Sequence, residues 1–150
     1  MYKLFILLVS MFCGFFSVAQ NKNYDSVLAK KLGADDYGMK QYVMVFLKQG
    51  TKFTDTARRN ELLEGHLKNI GRLAKEGKLA IAGPFLDRSP YAGIFIFNSS
   101  DVEEVKTLVQ SDPAVKAGMF DIEAYRWYGS AALGQVTETH EKVQKKNILE

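Results

Sequence analysis

An α+β fold in the order βαββαβ, the ferredoxin-like arrangement of a four-stranded antiparallel sheet with both helices on one face, is predicted by three features of the sequence. Four apolar, β-branched or aromatic runs of strand length recur between residues 41 and 127. Segments of helical periodicity separate the first run from the second and the third from the fourth. The second and third runs are joined directly by a polar loop with two prolines, which suits antiparallel neighbours.

The first nineteen residues stand apart from this fold, because they carry the three parts of a secretory signal peptide. Lys3 supplies the positive start, LFILLVSMFCGFF the apolar core, and Ser17-Val18-Ala19 the small-x-small cleavage site. The apolar run is short for a membrane anchor. Bulky Met11 and Phe12 precede Cys13, where a lipoprotein signal would place a small residue. The expectation is cleavage after Ala19, export to the periplasm or the medium, and no membrane association afterwards. About 131 of the 150 residues would remain, enough for one domain with a core. Losing Lys3 takes the formal charge from +3 to +2, 19 basic residues against 17 acidic, with the two signs interspersed. No nucleic-acid partner is implied. The single cysteine leaves with the leader, which removes disulfides and thiolate metal sites from the exported chain.

Residues 20–40 read as a lead-in with a short helix, DSVLAKKLG, in which Asp25 suits an N-cap and Gly33 a stop. QYVMVFLK (41–48) is the first strand. ELLEGHLKNIGRLAKEGKL (61–79) is an amphipathic helix with a cap expected near Thr54 or Asp55 and an end at Gly77. KLAIAG and YAGIFIF are strands around the loop PFLDRSP. Ser100 with Glu103 three residues on reads as a capping box for a helix whose face is Val102, Val105, Leu108 and Val109. SDPAVKAG interrupts that helix as a turn or a short helical turn. MFDIEAYRW alternates Phe120, Ile122 and Ala124 with Asp121, Glu123 and Tyr125, the period of a half-buried strand. The core domain is thus 41–129, and 130–150 form a polar helical tail.

YVMVFL and IFIF are apolar at consecutive positions, so both faces of those strands seek burial although the helices cover one. The same sheet from a second copy would cover the other, forming a dimeric α+β barrel. The alternative is a monomer in which residues 20–40 and 129–150 cover the sheet.

One residue conflicts with the helix it sits on. Leu62, Leu63, Leu67, Ile70, Leu73 and Ala74 fall within an arc of roughly 140° at about 100° per residue, and His66 projects from the middle of it. It is either a core imidazole bonded to backbone or a general base or acid in a pocket. Its candidate partner is Asp112, which also suits an N-cap followed by Pro at the first helical position. A carboxylate can do both, since it has several acceptor sites. Gly83 and Pro84 follow a strand as a turn that could bring backbone beside a pocket. Arg88, with Asp87, could bind an anionic substrate or form a loop salt bridge. Tyr91, Tyr125 and Trp127 could line a cavity or pack in core or interface. His140 lies in the polar tail and reads as solvated surface. There is no glycine-rich phosphate loop, serine-nucleophile motif or multi-histidine metal spacing.

GHLKNIGRLAKEGKLAIAGPF, GIFIF and SDPAVKAGMFDIEAYRWYGS together resemble the YciI-like (YCII-related) family, whose pattern is a helix with His-Leu, a G-x-L-x-x-x-G-P strand and a late Asp-Pro. The stretch AKKLGADDYGMKQYVMVFLKQG resembles the lead-in of its exported members. The resemblance implies the ferredoxin-like fold, the dimeric barrel and a His–Asp active site, which falls on His66 and Asp112. A similar fold and pair serve a cofactor-free dehydrochlorinase of a chlorinated hydroxyquinol, and muconolactone isomerases share the barrel. Other relatives of the barrel bind haem through a histidine, but here the pairing claims His66, so no cofactor is expected. The functional expectation is a homodimeric, cofactor-independent lyase or isomerase in which His66 and Asp112 perform acid–base chemistry on a small organic substrate. The alternative is a non-catalytic barrel that binds a small molecule.

Overall fold

Residues 21–51, 53, 56–146 and 148 are described by the computed structural model. The leader expected at residues 1–19 and the helix caps expected at Thr54 or Asp55 lie outside the described residues. Helix α1 (Ser26–Leu32) starts where the Asp25 carboxylate accepts the backbone N–H groups of Val27 and Leu28. It stops at Gly33, whose φ of 69° is the left-handed conformation that glycine adopts without a Cβ clash. Strand β1 (Met39–Gln49) begins ahead of its apolar run, because Met39 and Lys40 still pair with Ser130 and Gly129. A 3₁₀ turn at Thr56–Arg58 leads into helix α2 (Arg59–Lys75), which ends just before Gly77 at a φ of 70°.

Strands β2 (Leu79–Pro84) and β3 (Tyr91–Phe97) follow, then helix α3 (Val102–Val109), the one-turn helix α4 (Pro113–Lys116) and strand β4 (Phe120–Ser130). A 3₁₀ segment, Ala131–Gln135, connects β4 to helix α5 (Val136–Val143). The strands form one sheet in the order β2-β3-β1-β4, antiparallel at every pairing, which is the ferredoxin-like α+β topology. The capping box expected at Ser100 does not form. Asp101 caps α3 instead, its Oδ1 accepting the N–H groups of Glu103 (2.8 Å) and Glu104 (3.2 Å). Its carboxylate stands next to the first helical residue, and a charged acceptor there also gains from the helix dipole.

Val43, Val45 and Leu47 of β1 and Phe95 and Phe97 of β3 are buried against Leu62 and Leu73 of α2 and Val105 and Val109 of α3. By the period of two, Tyr42, Met44 and Phe46 point to the other face. The tail covers one end of that face: Leu133 packs on fully buried Tyr42 and Ile96, and the Tyr42 hydroxyl donates to the Ser130 carbonyl (2.9 Å). Around Phe46 the described residues supply no such cover. The Phe46 ring lies 4.9 Å from that of Tyr91 and 6.2 Å from that of Tyr125, and Tyr125 is 55% exposed. Beside them Lys48 reaches Glu123 at 2.8 Å and holds the Glu123 carboxyl below the usual glutamate range. The tail thus covers the Tyr42 end of this face, and the described residues leave the Phe46 end open.

Candidate active site

The buried line along α2 is Leu62, His66, Asn69 and Leu73, at the i, i+4, i+7, i+11 spacing of one helical face. Leu63, Leu67, Ile70 and Ala74, read from sequence as part of the core stripe, are only half-buried and line a cleft beside it. His66 therefore sits at the boundary between core and cleft. Its imidazole packs against the rings of Phe120 (5.3 Å between centroids) and Phe95 (5.7 Å, near parallel).

Asp112 approaches from α4 and is fully buried. Its Oδ1 caps the helix, accepting from Ala114 N–H (2.9 Å) and Val115 N–H (3.4 Å), while its Oδ2 lies 2.6 Å from His66 Nδ1. One carboxylate thus does both tasks that the Asp-Pro step left open. With Asp112 ionised, its oxygens can only accept, which puts the hydrogen of this bond on Nδ1. That leaves the lone pair of the neutral imidazole on Nε2. No hydrogen bond engages Nε2, and among the described residues no fully enclosed side-chain nitrogen or oxygen lacks a partner. Nε2 is therefore open to the cleft. Gly65, next to His66, lets α2 and α4 meet closely, since a Cβ there would stand 3.0 Å from the Pro113 ring.

Asn69 is the buried polar residue that sequence reasoning missed. Its Oδ1 accepts from Arg72 Nη2 (2.9 Å), and Ser111 Oγ lies 3.1 Å away. Arg72 also donates to Ser111 Oγ (3.1 Å). These bonds tie the turn preceding Asp112 to the helix that carries His66. The available signal was an asparagine on the same face as His66, one turn further along.

The cleft has a volume of about 1040 Å³. Leu63, Leu67, Ile70, Ala82, Phe95 and Phe120 make most of it apolar, with His66 among them. Gly83 and Pro84 line it, as the sequence suggested. Arg88, Tyr91 and Trp127 do not. Arg88 is exposed on the β2–β3 loop and forms no ion pair with Asp87. Trp127 pairs with Tyr42 across the sheet, its ring 5.8 Å away on the open face. Tyr91 lies on that face too, against Phe46, with its hydroxyl donating to Glu123 (3.3 Å). Trp127 is out of step with Ile122 and Ala124, which face the helices, so alternation turns it away. In β3 the register shift opposite Leu47 and Lys48 breaks the alternation between Phe95 and Tyr91 and turns Tyr91 to the open face. Among the described residues no group of three or more His, Cys, Asp or Glu is placed to hold a metal ion. A polar depression of about 540 Å³ between Asp35, Lys40, Asn98 and Tyr128 lies apart from the His66–Asp112 pair.

The profile of the YCII-related domain matches residues 41–127, more than half of the chain. The chain belongs to the YCII-related family. No curated protein is significantly similar to it. A solved structure with some likeness is the 5-chloro-2-hydroxyhydroquinone dehydrochlorinase (TftG) from Burkholderia phenoliruptrix AC1100 in complex with 2,5-dihydroxybenzoquinone. The two share 22% identity over 57% of this chain and 92% of that one, with a TM-score of 0.43.

His66 and Asp112 both fall inside the YCII-related domain, but part of the cleft wall does not. Beyond residue 127, Thr137, His140, Glu141 and Gln144 also line it, at the i, i+3, i+4, i+7 spacing of one face of α5. His140, read from sequence as solvated surface, is exposed but faces the same cleft as His66. Among the described residues no helix is long and apolar enough to cross a membrane.

Proposed function

We propose that the cleft is the active site of a cofactor-independent lyase or isomerase acting on a small organic molecule with an aromatic or enolisable carbon. The observation that carries this reading is the 2.6 Å contact between His66 Nδ1 and Asp112 Oδ2, which leaves Nε2 facing an apolar cavity. Nε2 takes a proton from a carbon next to a carbonyl or in an activated ring, and the electron pair left behind moves into that carbonyl or ring. The imidazolium then returns the proton to a different carbon, as in an isomerase, or the electron pair expels a leaving group from the neighbouring carbon, as in a lyase. Asp112 fixes the tautomer and offsets the charge on the imidazolium, and the faces of Phe95 and Phe120 favour a cation between them. Such acid–base help supplies about 10²–10⁴ in rate.

The test is solvent-deuterium incorporation, followed by proton NMR, across a panel of hydroxylated and chlorinated aromatics, keto acids and lactones. Wild type is expected to exchange or convert at least one compound, and His66→Gln to do so roughly 10²-fold more slowly or not at all. Compounds that bind with no exchange or conversion by wild type would make the protein a binding barrel instead.

The assembly and the location form part of the same proposal. The Phe46 end of the open face meets its counterpart in a second copy, which gives a homodimer. Phe46→Glu is then expected to turn a dimer into a monomer in sedimentation analysis, and a monomeric wild type would refute the dimer. Residues 1–19 act as an export leader, so the protein recovered from its host is expected to begin at Gln20 by intact mass.

A further inference from the structure

We infer that the cleft is built for an aromatic anion, and that the C-terminal tail supplies half of the anion-binding rim. This rests on the cleft being the ligand site proposed above, but not on any turnover there. The floor of the cavity is apolar and aromatic, with Phe95 and Phe120 beside His66. Its rim is charged, with Lys68, Arg72 and Lys75 contributed by α2 and Lys146 by the tail, against Glu76 and Glu141.

The ion pairing of these groups decides the sign of the rim. Lys68 is paired with Glu64 and Arg72 with Glu76. Glu76 is further neutralised by Lys78 at 2.9 Å. Lys75 and Lys146 have no ion-pair partner among the described residues, and both are exposed. Two uncommitted ammonium groups, one from α2 and one from the tail, therefore stand in the lining with Glu141 as its one carboxylate without an ion-pair partner among the described residues. A small molecule whose rings rest on the apolar floor would place a carboxylate, sulfonate or phenolate at these ammoniums. On the tail side, His140, Thr137 and Gln144 offer hydrogen bonds to the same end of the ligand.

The arrangement has a natural reporter. The chain contains two histidines, and both line this cleft. A ligand in the cleft must move the imidazole resonances of His66 and His140, whereas one on the open sheet face would move neither.

A matched pair of dyes tests the inference on the full protein: anilinonaphthalene sulfonate and its uncharged parent phenylnaphthylamine, which share the same rings. The sulfonate is expected to bind roughly tenfold more tightly than the parent, with both histidine resonances shifting. Lys75→Gln with Lys146→Gln, at two exposed positions remote from the core, is expected to weaken the sulfonate roughly threefold or more and leave the parent unchanged. Equal affinity for the two dyes, an unaffected double variant, unmoved histidine resonances or no binding of either dye would each overturn the inference. The dye affinities read the rim charges whether or not the cleft turns anything over, so failure of the acid–base reading would leave this test standing.

Discussion

Asp112→Asn is expected to lower any turnover in the cleft by roughly 10⁴-fold while leaving the fold and the ligand affinity in place. The asparagine keeps one carbonyl oxygen, and the two N–H groups of Ala114 and Val115 that Asp112 Oδ1 accepts give that oxygen a fixed position. Turning the amide round would point its NH₂ group at those N–H donors and leave all of them unsatisfied in a buried site, so that orientation is disfavoured. The NH₂ group therefore takes the place of Oδ2 and faces His66 Nδ1. A donor there makes Nδ1 the acceptor and drives the imidazole proton to Nε2. The lone pair then points into the protein, and the cleft faces an N–H that cannot accept a proton. The rate is read by the deuterium-exchange assay and the tautomer by imidazole ¹⁵N shifts. An Asn variant that retains the wild-type rate would separate Asp112 from the chemistry.

Gly50→Ala is expected to cost about 3 kcal/mol of stability, the upper end for overpacking, and to lower Tm by roughly 10 °C. A Cβ at Gly50 would stand 1.9 Å from the Gly118 carbonyl oxygen and 3.0 Å from the Met119 carbonyl carbon. Both are backbone atoms and cannot rotate aside. The contact is close because Gly50 N–H donates to the Met119 carbonyl (2.9 Å) where β4 begins. Displacing that segment also displaces Phe120, whose ring packs on His66, so the site should loosen along with the fold. Gly71→Ala is the control of opposite sign: a Cβ there meets nothing within 4 Å, and alanine in a helix interior is favoured over glycine by about 1 kcal/mol. Calorimetry on the two variants checks both signs. An unchanged Tm for Gly50→Ala would mean that β4 starts elsewhere.

Most of the fold was legible because local periodicity and sheet topology agree. The two helical patterns and four strand runs each appear where expected, and Asp25, Gly33 and Gly77 punctuate them as their backbone preferences dictate. The centre of the site was legible for a different reason. An imidazole inside an apolar arc is a conflict that something must resolve, and Asp-Pro is a cap that fixes where a carboxylate sits. What stayed hidden depends on three-dimensional placement. Alternation places Trp127 once its pairing with Tyr42 is known, whereas Tyr91 reaches the open face only through the register shift opposite Leu47 and Lys48, which no local pattern announces. His140 looked like surface because it lies in a polar tail, and its helix indeed has no buried residue. Its position in the cleft wall follows from the path of Ala131–Gln135 over the sheet to β2, against which α5 packs. Asn69 was obscured by the leucines around it, half of which turn out to face the cleft.

The most direct test of the central claim is the long-range ¹H–¹⁵N correlation spectrum of the imidazoles in the wild-type protein, recorded above the titration of both histidines. The predicted result is a His66 ring protonated at Nδ1 and bare at Nε2, held in that one tautomer by Asp112. A His66 ring protonated at Nε2, or averaging between the two tautomers, would mean that Asp112 does not hold it and that no base faces the cleft.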